Sequence, residues 1–448
     1  MYDRLDNIVA LATIPGKSAL NVIRLSGEKS KYIFASLTKT QTSPQPNHVY
    51  LKYIYALQEK DPFDFASLVY YQAPKSFTGE DSLEISVHGG IIIANKLIET
   101  IVDLGARQAL PGEFSYRAFC NNKIDLLQAE AISSIVEANN SVDSYYLLNT
   151  IKGGLSKKLQ ESKDSIENIL IEGEHEIDFT EEEISAKTVQ KFHHSLQKSQ
   201  QQIIDILLKS YTVEKKASEM RVAIIGLPNV GKSSLFNLLL GKSRSIVTSE
   251  QGTTRDTVEA DIYIDTAFIT LIDTAGLRKT NNKAELLGIE KSYQEIKRAH
   301  ILIVVDDKNP LKILKQLNKY IKKKTTVLVL NKIDLKTTNK KEENIFYVSC
   351  KKNQGINPLL THLLTCYKKE RSEFQSQYFY LVNKRQQTLL KRIKQDLGLA
   401  VQKYKNTKDL SACLSDLYLI RDQFNSLIRP SEKEEILHSI FKGFCVGK

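Results

Sequence analysis

The sequence has few cysteines and no pair of them at metal-binding spacing. Its five cysteines in 448 residues form no C-x-x-C motif and do not cluster with histidines. This pattern argues against a zinc site and against a disulfide-stapled secreted domain. No apolar run is long enough to span a membrane, and no secretory leader is recognisable at the start. We therefore expect a cytoplasmic protein with no membrane partner.

Acidic residues are fewer than basic residues. The chain has 63 lysines and arginines against 52 aspartates and glutamates, which gives a net charge of +11 and a pI of about 9.1. A basic protein suits an RNA partner. A lysine-rich composition spread over solvated faces explains the same charge equally well, because no stretch interleaves arginines with aromatic residues. The charge alone leaves both interpretations open.

The length of the chain indicates several domains, because 448 residues exceed what one hydrophobic core usually holds. The residue patterns also change along the chain. Residues 1–120 alternate short β-rich runs with helical stretches, an α+β pattern. Residues 121–215 and 372–448 carry apolar residues at helical spacing, while 216–371 alternate strands and helices as a doubly wound sheet does. The pattern predicts a multidomain α/β + α protein, with one discontinuous helical domain and the third segment inserted in it.

The most informative motif runs from Gly226 to Ser233 and reads Gly-Leu-Pro-Asn-Val-Gly-Lys-Ser directly after the apolar run Arg221–Ile225. This is the phosphate-binding loop G-x-x-x-x-G-K-S, placed between a strand and a helix. Its backbone N–H groups point at phosphate oxygens, Lys232 reaches the β- and γ-phosphates, and the Ser233 hydroxyl ligates Mg²⁺. A chance Gly-rich turn is the alternative for one motif alone.

Three further elements follow in order and identify the nucleotide. The strand ending at Asp273 opens D-x-x-G, and Asp273 can hold Mg²⁺ through water. The next motif, Asn331-Lys332-Ile-Asp334, places a carboxylate where guanine offers two N–H donors. Adenine offers an acceptor there, and such polar mismatches discriminate by about 10⁴ or more. With Ser349-Cys350-Lys351, these elements predict an inserted Ras-like P-loop GTPase domain.

Two features concern hydrolysis. The segment from Val247 to Asp256 occupies the place of the first switch loop, where Thr254 is expected to ligate Mg²⁺ and close over the γ-phosphate. Many GTPases orient water with a Gln after D-x-x-G, but Leu277 stands at that position. Asn229 offers a carbonyl beside the phosphates, either to a monovalent cation that neutralises developing charge or simply as a turn-former.

The expected contacts to GTP come from the phosphate loop, the two switch segments and the guanine motifs. They are Asn229, Val230, Gly231, Lys232, Ser233, Ser234, Thr248, Ser249, Glu250, Gln251, Gly252, Thr253, Thr254, Asp273, Thr274, Ala275, Gly276, Asn331, Lys332, Asp334, Ser349, Cys350 and Lys351.

Three long stretches outside these signatures carry a specific resemblance. They run from Pro74 to Gly90, from Leu110 to Ala131 and from Phe444 to Lys448. With Gly252-Thr-Thr-Arg-Asp256, they resemble the tRNA modification GTPase family MnmE, also called TrmE, over the whole chain. The resemblance implies an N-terminal domain that dimerises and binds 5-formyl- or methylene-tetrahydrofolate. It also implies a heterotetramer with the flavin-dependent MnmG, which together install a (carboxymethyl)aminomethyl-type group on C5 of the wobble uridine (position 34) of certain tRNAs.

The resemblance also assigns residues. Folate contacts fall on Arg24, Glu84, Lys123 and Lys448. A potassium site falls on Asn229, Thr248, Glu250 and Thr253, which favours the cation role of Asn229. The water-orienting glutamate falls on Glu285, which otherwise reads as an ordinary carboxylate early in a helix. The implied catalytic residues are Glu285, Lys232 and Thr254.

Two other classes of GTPase fit part of the pattern. A ribosome-assembly GTPase that binds RNA would carry a KH module with a GXXG clamp or a second G domain, and neither signature occurs. A membrane-remodelling GTPase would carry an amphipathic segment that mixes basic and aromatic residues, and none is recognisable.

Overall fold

The structure is a computed structural model with two compact units. It describes residues 5–138, 141–177, 186–212, 220–242, 244–246, 258–264, 267–273, 296–317, 324–335, 342, 344–377, 379–430, 437, 440–444 and 447. One unit comprises residues 1–137, 147–208 and 384–448, and the other comprises 138–146 and 209–383.

The first unit begins with a six-stranded sheet. Its elements are β1 (Ile8–Leu11), β2 (Leu20–Ser26), α1 (Ser30–Thr38), β3 (Val49–Ile54), β4 (Asp64–Tyr71), β5 (Ser82–His88), α2 (Ile91–Asp103), β6 (Arg107–Gln108) and α3 (Glu113–Cys120). The strand order is β3-β4-β5-β2-β1-β6. All neighbours are antiparallel except β1 and β6. This confirms the predicted α+β character and adds the strand β3, which the sequence pattern did not indicate.

The two faces of this sheet differ because side chains alternate along each strand. Ile23 and Leu25 of β2 and Leu83 and Ile85 of β5 are buried, and they pack with α1 and α2 in one core. The intervening Arg24 belongs to the opposite face. That face is covered at β1, where Ile8 and Ala10 pack with Phe114 of α3, and it is partly exposed around Arg24, while the apolar face holds the fold together.

Helices make up the rest of the first unit. They are α4 (Leu126–Ser134), α5 (Ser141–Ile151, from residue 147 onward), α6 (Gly154–Ile177), α7 (Ala186–Leu208), α11 (Lys384–Thr407) and α12 (Leu410–Ile428). Asp125 begins α4 with a capping box, in which its carboxylate accepts from the Gln128 N–H and the Gln128 side chain accepts from the Asp125 N–H.

One polar contact ties the two distant helical stretches together. Arg385 at the start of α11 donates to both carboxylate oxygens of Glu130 in α4, each at 2.8 Å. The amide of the buried Gln386 donates to Glu130 Oε2 at 2.7 Å. These three residues join segments that are 255 positions apart in the sequence, as a discontinuous helical domain requires.

The second unit is built on a sheet whose described part has seven strands. The elements are β7 (Ser210–Thr212), β8 (Met220–Gly226), α8 (Lys232–Lys242), β9 (Arg244–Ile246), β10 (Val258–Ile264), β11 (Ala267–Asp273), β12 (Ile301–Asp306), α9 (Pro310–Leu317), β13 (Thr325–Leu330), a 3₁₀ turn (Ile333–Leu335), β14 (Ile345–Tyr347), α10 (Ile356–Gln377) and β15 (Tyr380–Val382). The strand order is β14-β13-β12-β8-β11-β10-β9.

The central strands of this sheet are parallel and buried. β8 lies between β11 and β12, parallel to both, and β12 is buried along its whole length. Val222 and Ile224 face one core with α8 and α10, whereas Ala223 and Ile225 face another with α9. Burial on both faces leaves only the strand ends for ligands, as in other doubly wound sheets.

The chain enters and leaves this unit through paired strands. β7 and β15 form a two-stranded parallel sheet, in which Ser210–Thr212 pair with Tyr380–Val382. The Tyr211 hydroxyl donates to Asp143 Oδ1 at 2.8 Å, and burial together with that carboxylate raises the pKa of Tyr211. Within the described ranges, no helix has the length and apolarity needed to cross a membrane.

Candidate functional site

The loop from Gly226 to Gly231 follows the end of β8, and its backbone explains its sequence. A Cβ on Gly226 would lie 2.2 Å from the Val305 carbonyl oxygen. A Cβ on Gly231, which has a φ of +94°, would lie 2.3 Å from Asn331 Nδ2. Asn229 has a φ of 64°, in the left-handed region that asparagine tolerates better than most residues. Asn229 therefore does form the turn, and its cation role stays a prediction.

The guanine motif also holds the phosphate loop in place. The buried Asn331 donates from Nδ2 to the Val230 carbonyl oxygen at 2.9 Å. Lys332 donates from Nζ to the Asn229 carbonyl oxygen at 2.7 Å and forms an ion pair with Asp307 at 3.1 Å. The ends of β8, β12 and β13 are therefore cross-linked into one rigid cradle.

Lys232 and Asp273 form the charged centre of this cradle. The Lys232 side chain donates to the Leu227 carbonyl oxygen at 3.0 Å, inside the curve of the loop. Burial lowers the pKa of Lys232, and the nearby Asp273 carboxylate opposes that effect. Burial likewise raises the pKa of Asp273, against a hydrogen bond with Ser233 and the charge of Lys232. Each group is partly desolvated, so a bound anion and cation would be held strongly here.

The same residues fit a magnesium ion. Asp273 Oδ1 is buried and makes no hydrogen bond within the described part of the chain. The Ser233 hydroxyl lies beside that carboxylate. A hydroxyl and a carboxylate oxygen, completed by phosphate oxygens and water, are the ligands that Mg²⁺ prefers. Ser233 would bind the ion directly and Asp273 through water, and the bound ion would neutralise charge on the β- and γ-phosphates.

The residues predicted to bind the base lie where β13 and β14 end. The fully buried Ser349 donates its hydroxyl to Asp334 Oδ1 at 2.6 Å, which holds the pKa of Asp334 below its usual range. The Cys350 N–H donates to Asn331 Oδ1 at 3.3 Å. Asp334 is thereby fixed as an ionised acceptor, the state needed to accept from the two N–H donors of guanine.

A second polar site lies on the open face of the N-terminal sheet. Arg24 donates from Nε to Glu84 Oε1 at 2.8 Å, and both side chains stay partly exposed, at 41% and 37%. Arg24 also donates from Nη1 to the Gly447 carbonyl oxygen at 3.3 Å. Residues from both ends of the chain therefore meet on this face.

Comparison with known proteins identifies the family to which the chain is similar. A family model described as "GTP-binding protein TrmE N-terminus" matches residues 7–123, and one described as "MnmE helical domain" matches residues 126–445. The chain is 34% identical to the tRNA modification GTPase MnmE of Aquifex aeolicus over 98% of its length and 99% of that protein's. It is 35% identical to the MnmE of Aliarcobacter butzleri, over 99% of each chain.

The chain belongs to the MnmE family of tRNA modification GTPases. It is a GTP hydrolase of that family, and the fold of N-terminal α+β domain, helical domain and GTPase domain agrees with the prediction from sequence. Solved structures match only in part. The Era protein of Aquifex aeolicus, bound to GDP and aluminium fluoride, is 29% identical over 33% of this chain and 56% of its own, with a TM-score of 0.27.

Many of the nucleotide contacts predicted for this MnmE-family chain fall on residues that the structure describes. Thirteen of them fall on described residues of the second unit, namely Asn229, Val230, Gly231, Lys232, Ser233, Ser234, Asp273, Asn331, Lys332, Asp334, Ser349, Cys350 and Lys351. The remaining predicted nucleotide contacts lie outside the described residues, namely Thr248, Ser249, Glu250, Gln251, Gly252, Thr253, Thr254, Thr274, Ala275 and Gly276. The predicted catalytic residue Glu285 and the predicted folate contact Lys448 also lie outside them.

The predicted folate set is only partly assembled. Arg24 and Glu84 are paired, whereas Lys123 donates to the Pro74 carbonyl oxygen at 2.9 Å. Sequence reasoning missed Tyr71, whose pKa is raised by burial and then by the nearby Glu84 carboxylate. Its position on β4 could have suggested it, because Tyr71 shares the open face with Glu84 by strand alternation.

Proposed function

We propose that this chain is a potassium-activated GTPase that modifies tRNA. Together with a flavin-dependent partner of the MnmG kind, in a heterotetramer, it adds a (carboxymethyl)aminomethyl-type group to C5 of the wobble uridine. A tetrahydrofolate, in its 5-formyl or methylene form, supplies the one-carbon unit. Membership of a family named for tRNA modification supports the substrate.

The meeting of Arg24, Glu84 and Gly447 carries the folate part of this proposal. A carboxylate such as Glu84 suits the N–H-rich edge of a pterin, and a guanidinium suits the anionic groups of folate. Lys448, the next residue after Gly447, and Lys123 would add positive charge. Because Arg24 and Glu84 remain partly exposed, a ligand can reach both without unfolding the sheet.

The potassium part rests on the phosphate loop. The Asn229 carbonyl oxygen already accepts from Lys332, so a cation would be bound by the Asn229 side chain. Thr248, Glu250 and Thr253 would complete its shell, and Glu285 would orient the attacking water in place of the missing Gln. With Lys232 and Thr254, this set would supply the charge stabilisation that an arginine finger supplies elsewhere.

Pairing of two copies through the N-terminal sheet fits the open face. Val49, Leu51 and Tyr53 of the edge strand β3 and Phe65 of β4 are 59%, 63%, 57% and 44% exposed. Tyr53 and Phe65 rings lie 4.9 Å apart, so the four side chains form one apolar patch on the face that also bears Arg24. Two copies joined there would cover this patch and complete the folate site.

Mass spectrometry of tRNA nucleosides tests the whole proposal. A strain without this gene should lack C5-modified wobble uridine, and the wild-type chain should restore it. A Glu84→Gln variant should fail to restore it, while Glu59→Gln, a control carboxylate on the surface of the same domain, should succeed. Full modification without the gene, or with the Glu84→Gln variant, would contradict the proposal.

The oligomer is tested separately by light scattering on the purified full chain. Leu51→Lys should shift the mass from two copies toward one, because it places a charge in the apolar patch. Leu399→Lys, on an exposed position of α11, is the matched control. A wild-type chain that elutes as a monomer at micromolar concentration would exclude the pairing.

A further inference from the structure

A cavity of about 300 Å³ lies in the first unit, and neither Arg24 nor Glu84 is among the residues that line it. It is formed by the segment just before α4, by one side of α6 and by the end of α12. Four basic side chains line it, from three different parts of the chain: Lys123, Lys157, Lys163 and Arg429. The GTPase chemistry uses none of them, and the proposed folate site uses only Lys123.

The charges in this cavity are only partly neutralised, although Lys157 lies near the Glu161 carboxylate. Lys123 and Arg429 direct their described hydrogen bonds to neutral acceptors, namely the Pro74 carbonyl for Lys123 and the Asn122 amide and Ile124 carbonyl for Arg429. Lys163 has a carboxylate partner, Glu167, but at 3.4 Å. Converging cations without matching anions repel one another, so the site is stabilised when an anion enters.

The acid that lines the cavity does not cancel this charge. Asp125 is buried, and its carboxylate is engaged as the N-cap of α4 through the Gln128 N–H. Burial raises the pKa of Asp125 and the nearby charge of Arg429 opposes that effect, so this one carboxylate offsets part of the Arg429 charge. The polar groups of Gln128, Gln160 and Asn425 also line the space and can donate hydrogen bonds to an anion.

An adjoining cavity indicates what kind of anion fits. It measures about 180 Å³, and Tyr116, Phe119 and Cys120 line it. Asn122 and Arg429 line both cavities, and the Arg429 guanidinium lies over the Phe119 ring, 5.6 Å from its centroid. Tyr116 and Phe119 are buried and pack on Phe441, so the exposed guanidinium plane of Arg429 is the surface on which a base can stack, beside cationic side chains that suit phosphates.

We propose that these two joined cavities form an RNA-binding cleft, in which Lys157, Lys163 and Arg429 contact backbone phosphates. The proposal rests on tRNA being the substrate and adds where the chain holds it. Phosphate contacts fix register rather than sequence, so the cleft would position the tRNA while other contacts select the wobble base.

The salt dependence of tRNA binding tests the cleft. The probe is an unmodified tRNA transcript with uridine at position 34, titrated with the full chain at several KCl concentrations. Each phosphate contact contributes about 0.7–0.9 to the slope of log affinity against log salt. The variant Lys157→Gln/Lys163→Gln should therefore lower that slope by about 1.4–1.8. Lys157→Arg/Lys163→Arg should keep it.

Lys405→Gln provides the matched control, because Lys405 is an exposed lysine of α11 outside the cleft. It should leave the slope unchanged, and circular dichroism should show all variants folded. Equal slopes in wild type and the Lys157→Gln/Lys163→Gln variant would overturn the cleft while leaving the tRNA function standing. The cleft would also be overturned if that variant lost affinity for 5-formyl-tetrahydrofolate and kept its affinity for tRNA. A wild-type chain that binds no tRNA would instead contradict the proposed function.

Discussion

The two sheets of this protein carry the residues of their proposed binding sites in opposite ways. The parallel central strands of the second unit's sheet are buried on both faces, and the polar residues of this sheet's predicted site lie at strand ends, such as Asp273 and Asn331. The mostly antiparallel N-terminal sheet is buried along one face and carries the partly exposed Arg24 and Glu84 on its other face. The predicted nucleotide site is made of loops, and the proposed folate site is made of side chains on one face of a sheet.

This difference determines whether the residues of a site are neighbours in the sequence. A loop at a strand end is contiguous, so its residues form a motif such as Gly226–Ser233 that can be read directly. A site on a sheet face takes one residue from each strand, and Arg24 meets Glu84 and Gly447 across 60 and 423 positions. Such a site leaves no local pattern.

The largest expected effect concerns guanine selectivity at the loop site. Asp334→Asn should shift the preference from GTP to xanthosine triphosphate by about 10⁴-fold, because the amide then donates to the C2 carbonyl of xanthine. Competition binding with both nucleotides measures it. Glu259→Gln, which changes a carboxylate on β10, should keep GTP selectivity. Retained selectivity in Asp334→Asn would refute the assignment of the motif.

The next effect separates the two roles of Asn229. Hydrolysis should be about 10³-fold faster in KCl than in NaCl. Asn229→Gly keeps the left-handed turn but removes the side chain, so it should abolish the difference between the salts. Asn353→Gly, at another left-handed asparagine (φ 54°), should preserve it. Steady-state GTPase assays decide the matter, and equal wild-type rates in both salts would exclude a potassium role.

A smaller effect is expected where the helical segments join in the first unit. Glu130→Gln weakens the bidentate pair with Arg385 and the contact with Gln386, so the free energy of unfolding should fall by about 1–3 kcal/mol. Urea denaturation followed by circular dichroism measures the change. Glu174→Gln, an exposed carboxylate on α6, should have no measurable effect. Equal stability of the two variants would show that the pair does not hold the segments together.

The smallest effect is a pH dependence at the loop site. The pKa of Asp273 is raised above its usual value, so a proton competes with Mg²⁺ as the pH falls toward it. Magnesium affinity in the presence of GDP should then drop by at most about tenfold per pH unit. Asp273→Asn should bind the ion weakly at every pH. Isothermal titration at several pH values checks this, and a flat wild-type profile would count against it.

The sequence predicted the second unit better than the first, for physical reasons. Buried parallel strands are continuous apolar runs followed by motif residues, so Arg221–Ile225 already indicated β8, which runs from Met220 to Gly226. The strand β3 was missed because apolar side chains occupy its exposed face as well, which removes the usual alternation. The Glu130–Arg385 pair has no local signal at all.

The folate residues were assigned from family resemblance rather than from any pattern. Structure then brought Arg24, Glu84 and Gly447 together, and it added Tyr71 beside Glu84. Contacts between residues this distant depend on strand order and register, which a single sequence does not reveal. Switch-segment residues such as Thr254 and Glu285 stay predictions.

Isothermal titration with 5-formyl-tetrahydrofolate tests most directly whether the sheet face and the strand ends are separate sites. The wild-type chain should bind it, and Glu84→Gln should weaken binding by at least about tenfold, because a charged hydrogen-bond acceptor is lost. Asp334→Asn should bind it as the wild type does. Undiminished affinity in Glu84→Gln, or equal losses in both variants, would contradict the account.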